Sequence, residues 1–245
     1  MVHGVEDVVA LHGFAGTGRI WDGVAERLDP ARFRLHTPDL PGHGSASRLR
    51  PVTFATCVDH VLAAAPERFA LCGYSLGGRV ALHLVLAAPE RVTRLVLVSA
   101  TGGIDDDGER ALRRRQDEQL ADEIEHESIE AFTTRWTALP LFDGASPEAV
   151  ALWRADIARN DPAALADVLR GIGTGAMEPL WPRLGELAMP AVVVAGERDP
   201  KYVALASRLS AALPAAASLV VPGAGHGLPR EAPGELAAAL ALSSG

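Results

Sequence analysis

Six short apolar runs recur along the sequence, separated by stretches with helical periodicity, and they restrict the fold to few classes. The runs are continuous rather than alternating, so each strand is expected to be buried on both faces, as in a parallel sheet covered by helices. The 245 residues, 48% of them hydrophobic, suffice for the core of one such domain with an insertion. We therefore predict a doubly wound α/β fold, with a mostly parallel sheet of about six strands flanked by helices. The predicted strands are residues 8–12, 34–38, 69–73, 94–99, 191–196 and 217–222.

The alternation of strands and helices is interrupted once, by a long segment with helical patterns and no strand-like apolar run. Within it, Ser146-Pro147 and Asp161-Pro162 each place a capping residue before a proline, which is typical of a helix start. We predict that residues 104–180 form a helical lid, inserted in a core made of residues 1–103 and 181–245.

The net charge of −8 argues against a broad electrostatic attraction to nucleic acid or to an anionic membrane surface. An anionic substrate would therefore need a local cluster of basic side chains.

No apolar run approaches the roughly 18 residues that span a bilayer, and Cys57 and Cys72 form neither a metal-type spacing nor a disulfide framework. We expect a cytoplasmic protein without membrane insertion, and the sequence identifies no protein partner.

Residues 73–77, Gly-Tyr-Ser-Leu-Gly, fit the pattern G-x-S-x-G between a predicted strand and a predicted helix. Small residues on both sides of Ser75 allow the backbone to turn sharply and to present the hydroxyl above the sheet. The alternative is that Ser75 only caps the helix beside packing glycines. The strand, turn and helix context favours the reactive serine.

An activated serine needs a base and an acidic group that orients the base, and in this arrangement they follow in the order serine, acid, histidine. Asp199 comes just after the fifth predicted strand, and His226 comes just after the sixth. Asp199 has an alternative role as a helix cap before Pro200, and Glu197 is a weaker rival for the acid. The remaining histidines lie in earlier loops or helices, where packing or capping is the usual role.

The segment after the first strand, His12-Gly13-Phe14, is expected to place the backbone N–H of Phe14 beside that of Leu76. Two amides in this arrangement would bind an oxyanion.

A dinucleotide site is the competing interpretation of the same segment, because glycines follow the strand and Asp39 comes 21 residues after Gly18. The glycine spacing G-x-x-G-x-G does not match the fingerprint G-x-G-x-x-G, and His12 occupies the turn. We therefore predict no bound nucleotide, and a serine activated by a histidine and an acid needs neither a metal nor a redox cofactor.

Five segments of the sequence are LHGF (11–14), DLPGHG (39–44), GYSLGG (73–78), GERD (196–199) and GAGH (223–226). Together they resemble the α/β-hydrolase superfamily over nearly the whole chain. A narrower resemblance rests on Arg79, on residues 109–142 with an arginine cluster, Asp117 and Trp136, and on residues 169–181 and 196–202. In these features the chain resembles the family of 2-succinyl-6-hydroxy-2,4-cyclohexadiene-1-carboxylate synthases.

The resemblance implies a catalytic triad of Ser75, Asp199 and His226. The residues implied in substrate binding are Tyr74, Arg79, Arg113 and Trp136. Arg113 is chosen by counting back from Asp117, and Arg110 and Arg114 remain alternatives within one helical turn.

Two positions differ from the pattern common in the family. Pro229 stands where a second histidine often follows the catalytic one, and Glu178 adds a negative charge near the place expected for an anionic substrate.

The resemblance implies a lyase of menaquinone biosynthesis that eliminates pyruvate from 2-succinyl-5-enolpyruvyl-6-hydroxy-3-cyclohexene-1-carboxylate, with Ser75 acting as a base. A small-molecule polycarboxylate is then the expected binding partner. The main alternative is a serine hydrolase, either a carboxylesterase or a C–C bond hydrolase, acting on a small substrate. A ligand-binding pseudo-hydrolase, which closes its lid on a ligand without turnover, is a further alternative.

Overall fold

The computed structural model describes residues 4–241, and six strands within them form one parallel sheet in the order β2-β1-β3-β4-β5-β6. The doubly wound α/β class is therefore confirmed, and each strand overlaps one of the six predicted runs. The strands are β1 Glu6–Leu11, β2 Phe33–His36, β3 Phe69–Tyr74, β4 Val92–Val98, β5 Ala191–Gly196 and β6 Ala216–Val221.

Ten α-helices lie along the described part of the chain, and none of them is both long enough and apolar enough to cross a membrane. They are α1 Asp22–Ala25, α2 Phe54–Ala64, α3 Leu76–Ala87, α4 Asp107–Glu125, α5 Ile129–Trp136, α6 Pro147–Ile157, α7 Pro162–Ile172, α8 Pro200–Ala212, α9 Leu228–Glu231 and α10 Pro233–Ala241. Short 3₁₀ turns cover Gly18–Trp21, Gly44–Ala46, Pro89–Arg91, Pro140–Phe142, Thr174–Ala176 and Trp181–Glu186.

The central strands are buried on both faces, which explains why their sequences are continuously apolar. In β1, Val8 and Ala10 belong to one hydrophobic cluster, while Val9 and Leu11 belong to the cluster on the opposite face. Successive strand residues point to opposite faces, so an alternating sequence would have left one face polar.

The helices α4 to α7 all lie between β4 and β5, in the segment predicted to be a lid, and α4 packs against α7. Two of the helix starts follow the predicted chemistry, because Ser146 caps α6 and Asp161 caps α7 through their side-chain oxygens. The division into lid and core stays a prediction, and residues 1–3 and 242–245 of the predicted core lie outside the described residues.

Parallel pairing brings the carboxyl ends of the strands to one edge of the sheet. The chain leaves β1 toward Phe14, β3 toward Ser75, β5 toward Asp199 and β6 toward His226. Side chains that are far apart in sequence therefore meet above this edge.

The start of α3 lies against β1 with no room for a side chain at Gly77. A Cβ added there would lie 2.3 Å from the carbonyl oxygen of Leu11, a backbone atom that cannot rotate away. Gly77 therefore allows the close approach of helix and strand on which the turn at Ser75 depends.

We expect Gly77→Ala to lower the free energy of unfolding by at least about 2 kcal/mol, because overpacked backbone contacts must move apart. The measurement is urea denaturation followed by circular dichroism. Gly185→Ala is the matched control, since a Cβ there meets nothing within 4 Å, and it should change stability by less than about 1 kcal/mol. Equal effects of the two substitutions would contradict the packing argument.

Candidate active site

Ser75 lies in a strained turn between β3 and α3. Its φ of 53° and ψ of −108° form a sparsely populated conformation that costs a residue with a side chain about 1–3 kcal/mol. The backbone N–H of Ser75 donates to the carbonyl of Val98 (2.9 Å), which ties the turn to the end of β4. The turn presents the Ser75 side chain to a cleft between the sheet edge and the lid helices.

The structure brings the three predicted triad residues together. The Nε2 atom of His226 lies 3.2 Å from the hydroxyl oxygen of Ser75, and its Nδ1 atom lies 2.7 Å from a carboxylate oxygen of Asp199. When Nδ1–H donates to Asp199, Nε2 is left to accept the proton of the serine hydroxyl. This geometry is suited to activating Ser75.

Asp199 makes the contacts expected of both roles that its sequence position suggested. One carboxylate oxygen accepts a hydrogen bond from His226, and the other accepts one from the backbone N–H of Tyr202 (3.3 Å), which caps α8. The rival acid Glu197 is turned away and accepts from the backbone N–H of Gly223 (2.9 Å). Position and hydrogen bonding therefore favour Asp199 over Glu197.

Three groups hold the His226 loop over the turn, and the sequence reasoning singled out none of them. The hydroxyl of Ser99 donates to the backbone carbonyl of His226 (3.2 Å), and the ring of Tyr202 packs edge-on against the imidazole. The carboxylate of Glu231 accepts from the backbone N–H of Gly227 (3.0 Å). Pro229, the unusual residue in this loop, lies in the first turn of α9.

The backbone N–H groups of Phe14 and Leu76 donate to no other group within residues 4–241. Leu76 is the first residue of α3, where a helix leaves its amides without internal partners. Phe14 precedes Ala15, a residue with a φ of 59° at the tip of the loop after β1. Both amides are therefore free to donate to a ligand, and their role as an oxyanion site stays a prediction.

Two buried histidines support this loop. Nδ1–H of His12 donates to the carbonyl of Gly13 (2.8 Å), and its Nε2 accepts from the backbone N–H of Leu40 (2.9 Å). Nε2 of His43 accepts from the backbone N–H of Ala15 (3.3 Å). Burial lowers the pKa of both imidazoles, which favours the neutral form that these contacts require.

The cleft above Ser75 has a volume of about 230 Å³ and combines an apolar wall with cationic groups. Leucines and aromatic rings from the lid and from the loop after β1 form the wall: Phe14, Leu120, Trp136, Leu141 and Leu169. The polar and charged lining includes Ser75, Arg79, Arg113, Asp199, Lys201, Tyr202 and His226.

Arg79 is buried, with 7% of its surface exposed, and is therefore not a solvated residue on the surface of α3. One guanidinium nitrogen donates to the carbonyl of Ile172 (2.5 Å) at the end of α7. Burial lowers the pKa of Arg79 to about 10, so the side chain still carries its charge at neutral pH. The remaining donors give the floor of the cleft a fixed positive charge.

Arg113 is the lid arginine that lines the cleft, in agreement with the count from Asp117. Its Nε donates to Asp117 (2.7 Å), and the other carboxylate oxygen of Asp117 accepts from the backbone N–H of Gly175 (3.0 Å). Arg110 instead binds Asp107 at the start of α4, and Arg114 is exposed. Asp117 therefore fixes Arg113 while leaving the end of its guanidinium for a ligand.

A profile of the alpha/beta hydrolase fold family matches residues 8–233, which is most of the chain. The chain belongs to the α/β hydrolase fold family. A Bacillus subtilis protein provisionally named as a 2-succinyl-6-hydroxy-2,4-cyclohexadiene-1-carboxylate synthase is 36% identical, with 93% of this chain and 86% of the relative covered.

Two further similar proteins bear on which reaction this α/β hydrolase catalyses. The pimeloyl-[acyl-carrier protein] methyl ester esterase of Nitrosomonas europaea is 32% identical, with 90% of this chain and 88% of the relative covered. The solved structure of MenH from S. aureus superposes with a TM-score of 0.90 at 30% identity, covering 96% of this chain and 92% of that one. The family is certain from these matches, and the reaction has to be argued from the cleft.

Trp136 lies in the cleft of the α/β hydrolase, where its ring packs edge-on against that of Phe14 with centroids 5.2 Å apart. Tyr74 instead lies beneath the turn, buried against Gly13 and near His226, so its predicted contact with substrate stays a prediction. The side chain of Glu178 is 82% exposed and lies 3.9 Å from Arg110, so it adds no negative charge to the cleft.

Lys201 and Tyr202 also line the cleft, although the sequence reasoning assigned them no function. Lys201 is the only lysine in a sequence with 23 lysine and arginine residues. Within residues 4–241 its ammonium forms no hydrogen bond or ion pair, and it lies 5.8 Å from the centre of the Tyr202 ring. The one lysine of the sequence, two residues after the predicted triad acid Asp199, was the signal that could have identified it.

We expect an amine-selective acetylating reagent to modify Lys201, and citrate to slow that reaction severalfold because its carboxylates would occupy the cationic cleft. Mass spectrometry after proteolysis would follow the acetylation of Lys201, with the amine at the N-terminus as the internal reference. Sodium chloride at the same ionic strength is the control for charge screening. Equal protection by citrate and by salt would contradict carboxylate binding beside Lys201.

Proposed function

We propose that this α/β hydrolase is a lyase that eliminates pyruvate from 2-succinyl-5-enolpyruvyl-6-hydroxy-3-cyclohexene-1-carboxylate and forms 2-succinyl-6-hydroxy-2,4-cyclohexadiene-1-carboxylate in menaquinone biosynthesis. The observation that carries the proposal is the group of cations around Ser75, namely Arg79, Arg113 and Lys201, in a protein with a net charge of −8. The substrate has three carboxylates, on the ring, on the succinyl arm and on the enolpyruvyl group. Arginine binds such groups with paired hydrogen bonds.

In the proposed reaction, His226 accepts the proton of the Ser75 hydroxyl, and the serine oxygen removes the proton from ring carbon 2. Asp199 holds the imidazole in the required tautomer. The electrons of the broken C–H bond form a double bond between carbons 2 and 3, and the existing double bond shifts to carbons 4 and 5. The C–O bond at carbon 5 then breaks, and the leaving group takes up a proton to become pyruvate.

Carbon 2 lies beside the ketone of the succinyl arm, so removal of its proton places negative charge on the ketone oxygen. The backbone N–H groups of Phe14 and Leu76 are proposed to stabilise this oxygen. The cations would hold the carboxylates so that the proton and the leaving group are aligned, while Phe14 and Trp136 contact the ring. No covalent intermediate with Ser75 is needed, and the cytoplasm is the proposed location.

Ester hydrolysis is the second candidate, because the relative from Nitrosomonas europaea is named as an esterase and the same triad would serve either reaction. In that case Ser75 would attack a carbonyl carbon and form an acyl-enzyme. An esterase for a substrate with one charged group would not need three cations beside its serine. The charge of the cleft therefore favours the lyase.

We expect Ser75→Ala to reduce the release of pyruvate from the authentic substrate by about 10²–10⁴-fold, the usual contribution of a positioned base. A coupled lactate dehydrogenase assay measures this rate. Near-normal turnover by the variant would refute a base role for Ser75. Wild-type protein that cleaves an aryl ester with a burst, yet releases no pyruvate, would instead establish the esterase.

Arg113→Gln should raise KM for the same substrate by about 10–100-fold, since it removes a charge-assisted hydrogen bond to a carboxylate. Arg114→Gln is the matched control, one residue further along α4 and outside the cleft, and should change KM less than about twofold. Steady-state kinetics of pyruvate release would measure both. Small, equal effects would mean that Arg113 serves only as a partner for Asp117.

A further inference from the structure

We propose that the lid helix α6 and the residues just after it hold the loop that carries the Phe14 amide, with Asp156 and Asn160 as positioning residues for the oxyanion site. The inference rests on the oxyanion role given to Phe14 in the proposed function. It adds a role for the lid, which would then contribute to the chemistry at Ser75 as well as covering the cleft.

Asp156 reaches from α6 to the end of the loop after β1. One carboxylate oxygen accepts from the backbone N–H of Thr17 (3.1 Å), and the other accepts a short hydrogen bond from the Thr17 hydroxyl. Asp156 is 3% exposed and pairs with no cationic side chain among residues 4–241. A buried carboxylate is costly unless hydrogen bonds satisfy it, and Thr17 supplies two of them.

Asn160 follows α6 and connects the lid to two loops of the core. Its side-chain NH₂ donates to the carbonyl of Ala15 (2.9 Å), and its side-chain oxygen accepts from the backbone N–H of Gly44 (3.0 Å). The donor and acceptor of one amide are thus used in the orientation that both partners require. Asn160 is nearly fully buried, so no water competes for these contacts.

These hydrogen bonds hold the part of the loop that sets the direction of the Phe14 amide. The backbone N–H of Gly16 donates to the carbonyl of Gly13 (3.1 Å) and closes a turn around Phe14 and Ala15. Ala15 has a φ of 59°, and its N–H is already bound by His43. Asn160 binds the carbonyl of the same residue, so a core histidine and a lid asparagine together maintain the unusual conformation next to Phe14.

A purely structural role would have a different consequence. If Asp156 and Asn160 only attached the lid to the core, replacing them would lower activity no more than another substitution that destabilises the lid equally. If they position the amide of Phe14, their loss should lower kcat while KM stays near the wild-type value, because the donor is misplaced in the transition state.

The experiment compares Asn160→Ala and Asp156→Asn with Ser146→Ala, which removes the cap of the same helix without touching the loop. Kinetics of pyruvate release give kcat and KM, and thermal unfolding gives Tm. We expect both loop-contacting variants to lose about tenfold or more in kcat, with KM within about threefold. Ser146→Ala should show a comparable fall in Tm and an unchanged kcat. Thr17→Val keeps the backbone contact with Asp156 and removes the hydroxyl, which binds Asp156 and also accepts from the backbone N–H of Arg19 (3.3 Å). It provides a milder variant if Asp156→Asn does not fold.

The proposal would be overturned if the Asn160 and Thr17 variants kept the wild-type kcat. It would also be overturned if Ser146→Ala lost as much kcat as a loop-contacting variant with the same fall in Tm. The rate at which a fluorophosphonate modifies Ser75 tests the positioning role of the lid independently of the proposed lyase reaction. If the wild type releases no pyruvate but Ser75 is modified more slowly in Asn160→Ala than in Ser146→Ala, the lyase fails and the lid contact stands. A wild-type Ser75 that reacts with neither reagent nor substrate would overturn both.

Discussion

The close approach of α3 to β1 is the contact on which the arrangement of the site depends. With only a hydrogen at Gly77, the first turn of the helix can lie directly against the carbonyl of Leu11. The same approach places the free amide of Leu76 beside the loop that contains Phe14. A tightly packed backbone contact in the core thus helps to set the separation of the two backbone N–H groups that are proposed to bind a negatively charged oxygen.

Positions that follow strand ends could be predicted from the sequence, because parallel pairing brings them to one edge whatever lies between them. The sequence positions of Ser75, Asp199 and His226 predicted that their side chains would meet, which they do. The choice of Arg113 as a cleft residue came from the family resemblance and the count from Asp117, and Arg113 does line the cleft. The contacts between the lid and the loop after β1 could not be predicted from the sequence. Asp156 and Asn160 bind residues about 140 positions away and follow no local pattern.

Asp39 shows how a local pattern can mislead. Its distance from Gly18 resembles that of the acidic residue in a dinucleotide site, yet its carboxylate accepts from the backbone N–H of Gly18 (2.8 Å) and of Ser45 (2.8 Å). The residue therefore braces one core loop against another. A glycine and an acid at this spacing can therefore reflect contact between two loops instead of a contact with ribose. The other glycine positions and His12 in the turn were the features that argued against a dinucleotide site.

Asp199 also changes the usual relation between stability and function at this site. Catalytic residues often hold strained or unpaired groups, so that replacing them stabilises the fold. Ser75, the proposed base, has an unusual backbone conformation and fits that description. Asp199 does not, because the same carboxylate that orients the imidazole also caps a helix of 13 residues. The contact that the proposed triad needs and the cap that stabilises α8 therefore depend on one carboxylate.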